Sequence, residues 1–154
     1  MIFILRCGHD SHHLRPVEME HRHGLDHYLL LLMKTEGYVA REGRLVPALP
    51  ESAVLFQKHT PIRYGCQLDH YNDDWIHFSL SSHEQILEQT NIPFGIPFLP
   101  QDFSMLTQCV RLLVKESRRK SPSSSSIQDA LMRAVLWKLS EGPRAEPEIK
   151  NPLY

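Results

Sequence analysis

Alternation along Asp73-Asp74-Trp75-Ile76-His77-Phe78-Ser79-Leu80 places Asp73, Trp75, His77 and Ser79 on one face of an extended segment, with Ile76, Phe78 and Leu80 on the other. The second face is core. The first could bind a polar ligand: an indole stacks on the apolar side of a sugar ring, and a carboxylate hydrogen-bonds hydroxyl groups. Trp75 also suits an ordinary packed core, so its type alone leaves both uses open.

Other chemistry-bearing residues form weaker patterns. Cys7, Cys66 and Cys109 are odd in number and widely spaced, which suggests neither a disulfide framework nor a CxxC metal knuckle. Cys66 has His59 and His70 near it in sequence, but no spacing that marks a thiolate with its base, and a small buried hydrophobe is its expected role. No catalytic nucleophile is assigned, and the chain is not read as an enzyme. Arg118-Arg119-Lys120 reads as a solvated helix end that complements the C-terminal dipole.

Short strands are expected to position the polar face. Ile2 to Leu5, His27 to Lys34, Tyr38 to Arg41, Ala53 to Gln57, Ile62 to Cys66 and Trp75 to Leu80 have strand texture. Between them lie turn-forming groups, Asn72-Asp73-Asp74 among them. This regular spacing implies an antiparallel sandwich or barrel. Leu29 to Met33 is apolar on both parities, so that strand should be covered on both faces.

The later part of the chain changes period. Ser81 with Glu84, and Ser125 with Gln128, match capping boxes and predict helices over Ser82 to Thr90 and Ser125 to Ser140. Pro93, Pro97 and Pro100 should hold the chain extended. Asp102 can then cap a helix with Phe103, Leu106, Val110 and Leu113 on one stripe. Ile127, Leu131, Ala134, Val135 and Lys138 form a further stripe, and Met132, Leu136 and Trp137 widen the apolar surface enough to suggest a partner helix across a two-fold dimer. Gly142 and Pro143 should stop the last helix, and the polar, proline-punctuated Glu146 to Tyr154 reads as a linker.

Composition limits the partners. The 154 residues, 42% of them hydrophobic, suffice for one domain with a helical appendage. Lys and Arg number 17 against 18 Asp and Glu, so the concentrated positive field that nucleic acids select is lacking. The apolar Met1 to Cys7 lacks a basic n-region and is too short for a signal peptide or membrane span. A cytoplasmic protein is expected.

Several local motifs resemble the amino-terminal half of AraC-type transcription regulators, over nearly the whole chain. Met33-Lys34-Thr35-Glu36-Gly37-Tyr38 with Gly43-Arg44 resembles the family's first hairpin, and Leu49-Pro50 followed by Val54-Leu55-Phe56 resembles its next strand, with Glu51 for the usual glycine. Thr60-Pro61-Ile62-Arg63-Tyr64 resembles a Pro-x-x-x-Tyr stretch, with Arg63 where histidine is common. Asp73-Asp74-Trp75-Ile76-His77-Phe78 is the most specific match, and Asn151-Pro152-Leu153-Tyr154 resembles the junction to a helix-turn-helix domain.

The resemblance implies a mainly β fold, a cupin-like antiparallel jelly-roll barrel followed by C-terminal α-helices. It implies an effector-binding barrel over residues 1–81, dimerisation helices over 82–141, and over 142–154 the start of a linker to a missing DNA-binding domain. The family's sugar-contacting positions fall on Lys34, Tyr64, Asp73 and Trp75, and His77 joins them on the alternating face. Lys34 and Asp73 replace an arginine and a histidine, which argues against arabinose itself. Met1 to Pro16 would correspond to an arm that closes over the pocket.

The implied partners are a small-molecule effector such as a sugar, a second copy of the chain, and DNA through the missing domain only; no membrane partner is implied. No cofactor is expected. Metal-binding cupins use an H-x-H pair with a later Glu and His, but after His21-Arg22-His23 the Glu position holds His27 and no histidine follows Pro61 at the needed spacing. A small metal-dependent cupin isomerase or dioxygenase is the rival reading.

Overall fold

A computed structural model describes residues 1–145. Eight strands come first: β1 (Ile2–His13), β2 (Val17–His21), β3 (Tyr28–Met33), β4 (Gly37–Arg41), β5 (Arg44–Ala48), β6 (Ser52–Phe56), β7 (Ile62–Cys66) and β8 (Tyr71–Leu80). Three helices follow: α1 (Ile86–Thr90), α2 (Phe103–Arg119) and α3 (Ser124–Leu139). The strands form two four-stranded antiparallel sheets, ordered β1-β8-β3-β6 and β2-β7-β4-β5. This is the strand order of an eight-stranded jelly roll.

Two apolar cores explain the double-faced strand in the sequence. Leu29, Leu31 and Met33 of β3 point between the sheets, where they meet Val39, Val54, Ile62 and Tyr71. Leu30 and Leu32 point to the other side, where Ile76, Phe78 and the helical residues Leu106, Val110, Leu113, Val135 and Leu136 close over them. Each fully buried side chain of this size contributes about 1.5–3 kcal/mol relative to exposure. The first sheet is therefore the middle layer, between the second sheet and the helices.

Asp102 caps α2 as expected, its carboxylate accepting from the Met105 N–H at 3.1 Å, and the stripe of Phe103, Leu106, Val110 and Leu113 is buried. Segment 91–101 runs beside β6, with Ala53 and Phe98 exchanging backbone hydrogen bonds of 2.8 and 3.0 Å. That pairing covers a sheet edge.

Several boundaries differ from expectation. β1 extends to His13 and pairs with β8 almost throughout, so the leading segment is an integral edge strand rather than a loose arm. β2 and β5 are additional strands. Asn72-Asp73-Asp74 belongs to β8, because Asp73 pairs with both Ser11 and Met33 in the ladder. α1 is only five residues long, and no Ser81 capping box forms: the Ser81 hydroxyl accepts from the Met1 ammonium instead. Ser125 lies inside α3, whose first turn is tied back to α2 by Ser124 donating to Glu116 at 2.9 Å. The linker over 146–154, including Asn151-Pro152-Leu153-Tyr154, lies outside the described residues.

Candidate functional site

A cavity of about 540 Å³ opens between β1 and β8 on one side and β2 and β7 on the other. β8 contributes Asp73, Trp75 and His77 to its lining from the face that alternation assigns, and β7 contributes Tyr64. Four of the five residues singled out as ligand contacts therefore share one cavity. Arg6 and Ser11 enter from β1 and His21 from β2, together with Tyr71. Sequence reasoning missed these because it ended β1 at Leu5 and did not recognise β2.

Lys34 is elsewhere. It follows β3 and pairs with Asp10 and, at 3.0 Å, with the buried Asp74, whose side chain faces the helices rather than the cavity. His9 Nδ1 lies 3.1 Å from both Asp74 oxygens, the Asp10 N–H donates to Asp74 at 2.8 Å, and the Thr107 hydroxyl of α2 donates to it as well. The ammonium is thus already engaged in tying the strands to α2.

The indole sits where β1 makes room for it. A Cβ on Gly8 would lie 2.3 Å from the Trp75 ring, so only glycine fits this close approach. Three residues on, after a bulge in which Asp10 adopts φ 53°, the Ser11 hydroxyl accepts from the indole N–H at 2.8 Å. Trp75 is thereby fixed by packing and by a hydrogen bond.

Asp73 lies toward one end of the cavity, accepting from the Tyr71 hydroxyl at 2.8 Å. Burial pushes its carboxyl up to about 7, against the lowering effect of the Tyr71 bond, and the Asp74 charge adds to the rise. Burial also raises the phenols of Tyr64 and Tyr71. His77 moves the opposite way, down to about 4, through burial first and then the nearby charges of Arg6, His27 and His21. Its Nδ1 is 2.8 Å from His27 Nε2, and His27 Nδ1 is 2.7 Å from Asp26.

The remaining sequence-designated residues are dispersed. On α3, Val135 is fully buried in the intramolecular core and does not reach the outer stripe as expected, whereas Leu131 is half-buried and packs against that core. Ile127, Ala130 and Trp137 are exposed, Ala134 is half-buried, and Lys138 pairs with Glu141. His23 is exposed and apart from the cavity lining. Among the described residues, His9, Asp10 and Asp74 form the one cluster with metal-ligand spacing, and Lys34 pairs with both of its carboxylates. Cys66 is buried, with its thiol 3.6 Å from the His70 carbonyl.

A second cavity of about 580 Å³ lies beside the β4–β5 hairpin, lined in part by Arg22, Arg41, Phe56 and Phe94. None of the ligand contacts expected from sequence lines it. Arg22 and Arg63 there are paired with Glu20 and Glu18. Among the described residues, no helix is long and apolar enough to cross a membrane.

No family model and no curated protein matches the sequence. Among solved structures, the AraC-like transcriptional activator CuxR is similar at a TM-score of 0.59 and 11% identity, over 88% of this chain and 52% of that one. Apo ToxT, as a variant from Vibrio cholerae strain SCE256, is matched at 0.46 and 12% identity over 87% of this chain and 52% of that one, too loosely to carry an argument. The chain shares its fold with an AraC-like transcriptional activator and spans about half of that protein's length.

Proposed function

We propose that this chain is the effector-sensing and dimerisation half of an AraC-type bacterial transcriptional regulator. The barrel over 1–81 binds a small polar effector of the sugar class in the cavity of Tyr64, Asp73, Trp75 and His77. The helices over 82–141 assemble a homodimer. Residues 142–154 begin a linker to a separate DNA-binding domain, and the whole acts in the cytoplasm without catalysis. One observation carries the reading: the cavity unites a fixed indole with a buried carboxyl and phenols, the combination that binds a polyhydroxylated ring. The fold shared with an AraC-like activator supports the regulatory context. Occupancy would bias how the dimer presents its DNA-binding domains, by differential affinity for two arrangements.

A thermal-shift screen of mono- and disaccharides, uronic acids and divalent metals tests this, because a ligand that prefers the native state raises the melting temperature. The expected result is a saturable shift with a sugar that Trp75→Ala abolishes while the far-ultraviolet spectrum is retained. Tyr64→Phe provides a milder variant of the same wall. A shift confined to metal favours the cupin enzyme instead, and silence across the panel leaves oligomerisation as the role.

A further inference from the structure

The cavity is polarised along β8. Arg6 pairs with His77 in the β1–β8 ladder, while Ser11 pairs with Asp73 and His13 with Tyr71. Asp73 and His77 are four residues apart, or about 13 Å along a strand rising about 3.3 Å per residue. Side chains reaching inward from both ends shorten the span a ligand must bridge. One end therefore carries Arg6 with His77, and His21 close enough to act on His77 electrostatically. The other carries Asp73, Tyr71 and Tyr64, and Trp75 lies between.

Arg6 is exposed at this cavity and, among the described residues, makes no ion pair. Among the described residues, Asp73 is the only carboxylate that lines the cavity. From this juxtaposition we infer that the effector is an acidic sugar, its carboxylate or phosphate on Arg6 and its hydroxyls toward Asp73 and Tyr64.

The inference rests on the sensor reading and narrows its ligand class. A guanidinium offers a planar pair of donors that matches a carboxylate or phosphate edge. Asp73 in its ionised form repels an anionic group placed at its own end, which favours the direction with the acid on Arg6. Its neutral form, favoured by burial, can donate to a ring hydroxyl or oxygen. The indole between the two ends packs the ring's C–H face.

Titration calorimetry at neutral pH on this chain, with galacturonate, glucose 6-phosphate, galactose and glucosamine as probes, separates the outcomes. At least one acid should bind about tenfold or more tighter than galactose, the gain of one charge-assisted contact. Arg6→Gln should remove that preference by bringing the acids down to the galactose level, and Arg6→Lys, which keeps charge but loses the fork, should fall between. Uronate against sugar phosphate identifies the source of the acid group. Binding of galactose or glucosamine as tight as the acids, or an acid preference that survives in Arg6→Gln, overturns the acidic class and leaves the cavity reading standing. No binding of any probe to the wild-type chain overturns both. Arg6 is exposed, so melting curves of its variants should match wild type and keep the comparison valid.

Discussion

Asp73 and His77 face one cavity with ionisation shifts of opposite sense, which makes their pH signatures separable. Asp73 moves from an ordinary value near 3.8 up to about 7, so between those limits the native state holds a proton that the unfolded chain has released. Its contribution is full below about 4 and is lost as pH rises toward 7. His77 moves from 6.5 down to about 4, so its contribution is full above 6.5 and is lost as pH falls toward 4. Between about 4 and 6.5 the two slopes oppose each other. Relative to wild type, Asp73→Asn should gain stability as pH rises from 4 to 7, and His77→Gln as pH falls from 6.5 to 4, each by a few kcal/mol at most given about 1.4 kcal/mol per pKa unit. Urea unfolding at stepped pH measures both; parallel profiles for variant and wild type would remove the assignment. A second prediction belongs to Gly8. Gly8→Ala should cost about 1–3 kcal/mol through overpacking and release the Trp75 N–H from Ser11, read as a shifted Trp75 emission in a Trp137→Phe background.

At the scale of elements, α3 separates two roles that a sequence stripe merges. Leu136 is fully buried on its inner face, whereas Ile127 and Trp137 are exposed on its outer face. Leu136→Ala should lower stability by about 2–5 kcal/mol without altering assembly. Trp137→Asp should lower the sedimentation coefficient toward that of a monomer while leaving the melting temperature at low protein concentration nearly unchanged. A fully monomeric wild type, or an unaffected dimer in Trp137→Asp, removes this face as the interface. The sequence stripe failed at Val135 because helical period alone cannot tell which of two apolar faces meets the barrel. Strands show a similar limit. β3 and β7 were legible from dense apolar residues, but β5 carries Pro47, which reads as a breaker and is tolerated here because β5 ends its sheet. β2 presents Glu18 and Glu20 to solvent from another edge, so its five residues lack the apolar signal of an inner strand.

Across the whole molecule, an antiparallel sandwich or barrel and the inward face of β8 were readable from strand spacing and local alternation, and the jelly roll from the family resemblance. The partners of each side chain were not, since they are set by segments far away in sequence. Lys34 shows the difference: resemblance assigns it to the ligand, while a bulge in β1 brings Asp10, and β8 brings Asp74, to take its ammonium first. The cavity's basic end was hidden for the same reason, as Arg6 acquires its place only through pairing with β8.

That pairing also sets how the chain must fold. β1 is made well before its ladder partner, which spans Tyr71–Leu80, and before Asp129 of α3, to which the Ile2 N–H donates at 2.7 Å. During synthesis β1 therefore waits as an unpaired strand until β8 has emerged, and its tie to α3 forms later still. Closure of such long loops precedes the contacts that reward it, a circumstance that slows folding and prolongs exposure to aggregation. The half-formed wall of the cavity is thus also the segment on which a chaperone would act longest.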